Sequence, residues 1–334
     1  MKKLIVLLVA LIVSAMETFA QNALVATLSH GSNLTTFYGE NGFVDAYAAA
    51  ADGDCITLSA GTFASVSSVE KAITVRGAGM KSDGTVLSTS FDINMDELRS
   101  NPLVFEGLTF SLNNINGDLA QSVQFIKSYI TGYSYYTFHI NGCSNTFMHC
   151  ILCVLDLGYN SLDVNIYNSI LTAGLTNSSG SFNVQNCQLS SNSNIVDTKN
   201  SNFRNCIFIY SGGSLNSNNI VEHCVGLDYQ DSNNDFFSNV SGATNSMVSN
   251  STDLFKDVNI SDLVSNRNGY VLNESNLKLT DAAKATYKGS DGTEVGIFGG
   301  ANPYTTATTN PRITNFSITT NTEGGQLKVK LNVE

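Results

Sequence analysis

SFNVQNCQLS, residues 181–190, has two near-copies downstream: SNFRNCIFIY at 201–210 and NIVEHCVGLD at 219–228. Each sets an apolar residue, two polar residues and a cysteine in the same order: Val184 to Cys187, Phe203 to Cys206, Val221 to Cys224. With the cysteine as position zero, the slot recurs at Gly107, Ser128, Cys150, Ser169, Cys187, Cys206 and Cys224, at spacings of 18–22 residues. Position −3 is apolar throughout: Val104, Phe125, Phe147, Ile166, Val184, Phe203 and Val221. Position +2 is mostly apolar, with Thr109, Ile130, Leu152, Leu171, Leu189, Phe208 and Gly226. A period near twenty with an unbroken apolar column is the mark of a solenoid.

Parity identifies the kind of solenoid. Along one strand, inward side chains are separated by even numbers of residues. Positions −3 and 0 are both inward at an odd separation, so the chain must bend between them. Position −1 holds Asn168, Asn186 and Asn205, with His149 and His223 in two further repeats. Asn and His are enriched in the left-handed backbone region. Position −1 therefore reads as a corner between two short strands, stacked from coil to coil.

This pattern resembles the right-handed parallel β-helix of the pectin lyase-like proteins, over roughly residues 53–300. The resemblance implies an all-β fold and permits polysaccharide chemistry without fixing an activity. GFVDAYAAAADGD (residues 42–54) reads as an N-terminal capping helix with Phe43, Tyr47 and Ala50 on one face. NLKLTDAAKATYKGSDGTEVGIFGG (residues 276–300) resembles a closing coil. The expected organisation is a signal peptide at 1–20, a β-helix domain at 21–300, a Thr-rich linker at 301–309 and a β-hairpin tail at 310–334. The tail alternates apolar and polar residues around Glu323, Gly324 and Gly325.

Lys2 and Lys3 precede the apolar run Leu4–Met16, and Thr18 and Ala20 stand just before Gln21. This is the layout of a cleaved secretory signal, and the run is too short to span a bilayer. The sequence thus predicts export, to the periplasm, the outer surface or the medium, with no membrane span in the mature chain. Removal of residues 1–20 leaves 15 basic and 27 acidic residues. That balance argues against a nucleic-acid partner and sits awkwardly with an acidic polysaccharide unless calcium bridges the charges. The predicted partners are a polysaccharide or a surface protein, and the predicted state is a monomer.

The cysteines read as small inward residues, about 4.8 Å apart in consecutive coils, slightly too far for unstrained disulfides. Since Ser and Gly share the slot, size is expected to matter there, and the thiols are expected to be free and buried. The pair Cys150 and Cys153 is split by strand alternation and makes a poor metal site.

Catalytic chemistry has few candidates. Between Phe105 and Leu227 the basic residues are Lys127, Lys199 and Arg204. Lys127 and Arg204 are the candidate bases of a lyase, although Arg204, at position −2, reads equally as a lone solvated charge. Asp228, Asp231, Asn233 and Asp235 have calcium-like spacing, but Phe236 and Gly242 stand where an EF-hand needs Gly and Glu. Tyr133, Tyr135 and Tyr136, with His139, form the candidate ligand platform, since exposed tyrosines offer flat faces to sugar rings. His139 has no carboxylate close in sequence. Position +1 points outward yet carries Tyr129, Ile151, Ile170, Ile207 and Val225, broken by Gln188. Such a stripe is expected to be covered from within the chain, by a loop or by the hairpin tail. The reading favoured is an exported, non-catalytic β-helix protein; a polysaccharide lyase or glycoside hydrolase is the alternative.

Overall fold

A computed structural model describes residues 24–80, 83–132, 137–152, 154–158, 162–172, 174–190, 196–210, 215, 218–228, 236–240, 243–248, 254–256, 258, 274–307, 313–319 and 328–333. The signal segment and the turn of the tail lie outside them. The chain is an all-β parallel solenoid. Its strands fall into three columns, and each coil adds one strand to each.

The first column stacks Cys55–Leu58, Thr74–Arg76, Leu103–Glu106, Ser122–Ile126, Ser144–Met148, Val164–Tyr167, Phe182–Gln185, Asn202–Arg204 and the start of Ile220–Asp228, all parallel. The second runs from Gly61–Phe63 through Tyr129–Gly132, Ile170–Leu171 and Ile207–Tyr210 to Thr244–Val248. The third holds Ser68–Val69, Phe91–Met95, the end of Leu108–Gly117, Thr137–Asn141, Val154–Leu157, Leu175–Asn177 and Val196–Asp197. In-register stacking sets like on like. Phe125 and Phe147 lie nearly parallel with ring centroids 4.8 Å apart, and Phe105 continues the pile at 5.8 Å. Each such ring, fully buried, contributes about 1.5–3 kcal/mol of apolar transfer energy.

The corners between the first and second columns are where parity placed them. Asn168, Asn186, Asn205, His149 and His223 all have positive φ, between 43° and 56°. Lys127 (φ 49°) and Gly107 (φ 68°) continue the same series. Gly107 corrects the sequence register. Phe105, not Val104, pairs with Phe125, so Leu108 fills the inward slot and Gly107 is the corner. The apolar run Leu103-Val104-Phe105 had hidden the parity, and glycine at a corner needs no explanation beyond its tolerance of positive φ.

The inward slot has a hydrogen-bonding reason as well as a steric one. Ser128, Cys150, Ser169, Cys187, Cys206 and Cys224 each donate their side-chain hydrogen to the carbonyl two residues before. Their O or S in turn accepts a slot N–H from the preceding coil: Leu108 N to Ser128, Cys150 N to Ser169, Ser169 N to Cys187 and Cys206 N to Cys224. Thiol and hydroxyl are interchangeable because both donate and accept. The six described cysteines are free.

Before the first coil, β1 (Val25–His30) and β2 (Asn33–Tyr38) form an antiparallel hairpin, and β1 also pairs with Cys55–Leu58. Helix α1 (Gly42–Ala49) follows and buries Phe43 and Ala46 in the core. Tyr47 packs against that core beside Phe43, while its hydroxyl accepts from Glu70 N at 2.7 Å and Lys71 Nζ lies 4.8 Å from the ring centre. At the other end, Ile313–Thr319 and Lys328–Val333 form an antiparallel pair, as the alternation predicts.

Burial pushes the Cys150 thiol up to about 12, and pushes Cys187 and Cys224 up as well. Because all four side chains are buried from solvent, a water-soluble maleimide at neutral pH is expected to leave Cys150, Cys187, Cys206 and Cys224 unlabelled in the native protein and to label all four in denaturant. Peptide mass mapping checks this.

Candidate functional site

Residues 277–304 form no further coil. They lie along the outside of the corner series as a strap, and helix α2 (Asp281–Thr286) is part of it. Their apolar side chains Leu277, Leu279, Ala283, Val295, Ile297 and Tyr304 pack on Ile151, Ile170, Ile207 and Val225. The outer apolar stripe is thus covered from within the chain, by the strap rather than by the terminal hairpin.

The strap docks on the corner side chains themselves. Asn168 Nδ2 donates to Ile297 O at 3.0 Å and Gly299 O at 2.8 Å. Asn205 Oδ1 accepts from Ser290 N at 2.8 Å, and Asn205 O accepts from Gly296 N at 2.8 Å. His149 Nε2 donates to Asn302 O at 3.0 Å. Gly296 (φ 83°) rests on Ile207, and a Cβ at Gly300 (φ 79°) would collide with Asn186 Nδ2. The asparagines thus serve twice, turning the chain and holding the strap.

Covering the stripe leaves the outer face of the first column open. Residues −4 and −2 of successive coils line a groove of about 360 Å³: Asn165, Asn183, Asn202 and Ile220 on one side, Tyr167, Gln185, Arg204 and Glu222 on the other. The amides chain together, Asn202 to Asn183 at 2.9 Å and Asn183 to Asn165 at 3.3 Å. The Tyr167 hydroxyl reaches Asn165 Oδ1 at 3.4 Å.

Arg204 stands in this groove, but not as a lone charge. Its Nε lies 2.8 Å and its Nη2 2.6 Å from Glu222 Oε2, one coil on. Lys127, the other candidate base, is a corner residue and is not among the residues that line the groove. Glu222 is the one carboxylate among the described lining residues, and it is held by Arg204.

His139 lies on the outer face of the third column. Its Nδ1 is 2.9 Å from Asp156 Oδ2, and Asp156 Oδ1 accepts from Thr176 at 2.8 Å. The carboxylate that sequence proximity did not supply comes from the next coil, in register with the histidine. Tyr133, Tyr135, Tyr136, Asp231, Asn233, Asp235 and Cys153 lie outside the described residues, and Asp228 is placed only by its backbone pairing with Tyr210. Among the described residues no group of three His, Cys, Asp or Glu is placed to hold a metal. No helix among them is long and apolar enough to cross a membrane.

Searches of protein-family models, curated proteins and solved structures found no match to this chain.

Two predictions concern the strap. Asn168→Ala removes both carbonyl contacts and the left-handed preference, and is expected to cost about 1–3 kcal/mol. Asn168→Gly keeps the backbone preference and loses the contacts alone, so it should fall between Ala and wild type in thermal unfolding.

His149 gives the pH dependence. Burial lowers its basicity and nearby Lys127 acts the same way, against the opposing Asn302 carbonyl. Its folded value lies below its unfolded value of about 6.5, so its contribution is full above about pH 6.5 and is lost as pH falls towards the folded value. The melting temperature should drop more between about pH 7 and pH 5 in wild type than in His149→Asn.

Proposed function

We propose that this chain is an exported, non-catalytic right-handed β-helix protein, akin to the pectin lyase-like class, that holds a neutral glycan along the outer face of its first strand column. The observation that carries the reading is the groove at Asn165, Asn183, Asn202, Tyr167, Gln185, Arg204 and Glu222. Amides, a phenol and one closed ion pair are groups that exchange hydrogen bonds with sugar hydroxyls, and the tyrosine ring adds an apolar face. The rows repeat at the strand spacing of about 4.8 Å, close to the rise of an extended pyranose chain, so each coil can meet one sugar.

Charge supports a neutral ligand. The whole chain carries −11, and the Arg204–Glu222 pair leaves the groove without a surplus cation for a uronate. Hydrolysis of a glycosidic bond ordinarily uses two carboxyl groups astride the bond, and β-elimination uses a free base beside a neutralised carboxylate. The lining supplies one engaged carboxylate and one engaged guanidinium. A catalytic reading finds its support elsewhere, in the histidine that Asp156 orients on the third column.

The test is a panel of plant, host and bacterial polysaccharides, with and without calcium, scored for retention and for new chain ends. The expected result is retention of a neutral polysaccharide without cleavage, weakened about tenfold by Tyr167→Ala, which is about 1.4 kcal/mol. New chain ends that disappear in His139→Ala would replace this reading with the enzymatic one.

A further inference from the structure

The groove is one end of a longer outer face. Beyond Tyr167, position −2 continues in register through Met148 and Ile126 to Glu106 and Arg76. Arg76 Nε lies 3.2 Å from Glu106 Oε2, so this end of the row closes on an ion pair between successive coils, as the other end does at Arg204 and Glu222. Between the two pairs the row is uncharged. Ile126, Met148 and Tyr167 set three apolar side chains on it in consecutive coils, each half-buried and about 4.8 Å from the next.

Position −4 of the same three coils is polar. It holds Gln124, Thr146 and Asn165, in register with one another, and Asn183 and Asn202 prolong the row into the groove. Each of the three strands therefore shows a hydrogen-bonding side chain and an apolar one on its outer face, about 7 Å apart: Gln124 with Ile126, Thr146 with Met148, Asn165 with Tyr167. Further along, Asn183 gives one N–H to Asn165 and accepts one from Asn202. An amide has two N–H groups and two lone pairs, so Asn183 keeps one of each for a ligand.

We infer that the glycan held along this face carries acetamido groups, as a neutral chain of N-acetylhexosamines does. The inference rests on the proposed reading of the groove as a glycan site and names the class of sugar. An acetamido group joins an amide to a methyl, and each of the three strands offers a partner for both. Laid across the strand, the group bonds to the side chain at −4 and sets its methyl on the one at −2. The residues at −2 suit a methyl better than a sugar ring. Flat sugar faces stack on aromatic rings, and only Tyr167 has one; Ile126 and Met148 are aliphatic. A glycan of bare hydroxyls would leave these two side chains without an apolar partner.

Calorimetric titration of the exported chain with hexamers of N-acetylglucosamine, glucose and galacturonate tests the inference. The acetylated hexamer is expected to bind at least about tenfold more tightly than the glucose hexamer, the scale on which sites fitted to one substituent discriminate. Ile126→Thr/Met148→Gln keeps side-chain size and the branched strand residue while removing the apolar row. It should bring the two hexamers to near-equal affinity by weakening the acetylated one alone, whereas Tyr167→Ala should weaken both. Circular dichroism and thermal unfolding check that the variants fold, and the wild-type comparison decides if the double variant does not. Equal wild-type affinities, or a preference untouched in the folded double variant, overturn the inference and leave the glycan reading standing. A different neutral polysaccharide retained in place of the acetylated hexamer does the same. Tightest binding of galacturonate, or retention of no polysaccharide at all, overturns both.

Discussion

Everything in this solenoid follows from one left-handed residue per coil. A strand passes its inward side chains at even intervals, and a closed coil needs to break that rhythm to turn. A residue at positive φ does so in one step. Because corners at equivalent positions stack, the turn also stays within the ladder. Corner N–H groups bond to the next coil at Asn168 N–Gln185 O, Asn186 N–Arg204 O and Asn205 N–Glu222 O. These corner N–H groups stay paired at the bend, so the ladder continues through it from coil to coil.

The same residue then decides which outer face is free. Its side chain points away from the core, and a column of such side chains offers amides to a passing backbone. The strap takes that offer at Asn168, Asn205 and His149, and in doing so hides the apolar stripe at Ile151, Ile170, Ile207 and Val225. The face left exposed is the polar one beside it, with Asn183, Tyr167 and the Arg204–Glu222 pair. Corner, strap and groove form one causal sequence.

The sequence made the period, the corner and the inward columns legible because each depends on neighbours in the same coil. It misled at Gly107, where three consecutive apolar residues carry no parity information. It concealed the partners of Arg204 and His139 for a different reason. Glu222 lies 18 residues beyond Arg204 and Asp156 lies 17 beyond His139, one coil in each case. A scan for opposite charges at the repeat spacing, rather than for close neighbours, would have found both. The strap was out of reach of any such scan. Its contacts span 85 to 153 residues and use main-chain carbonyls and amides that no side chain announces.

The direction of the strap has a mechanical consequence. Ser290 and Gly296 meet the coil of Asn205, Gly299 that of Asn168, and Asn302 that of His149, so the strap runs back against the order of the coils. A load applied through the tail beyond Ala307 reaches the His149 contact first and the Asn205 contacts last. The strap would peel, one corner at a time, instead of sharing the load in shear. Detachment under tension would therefore be graded, with the covered face of the solenoid exposed coil by coil while the ladder beneath stays closed.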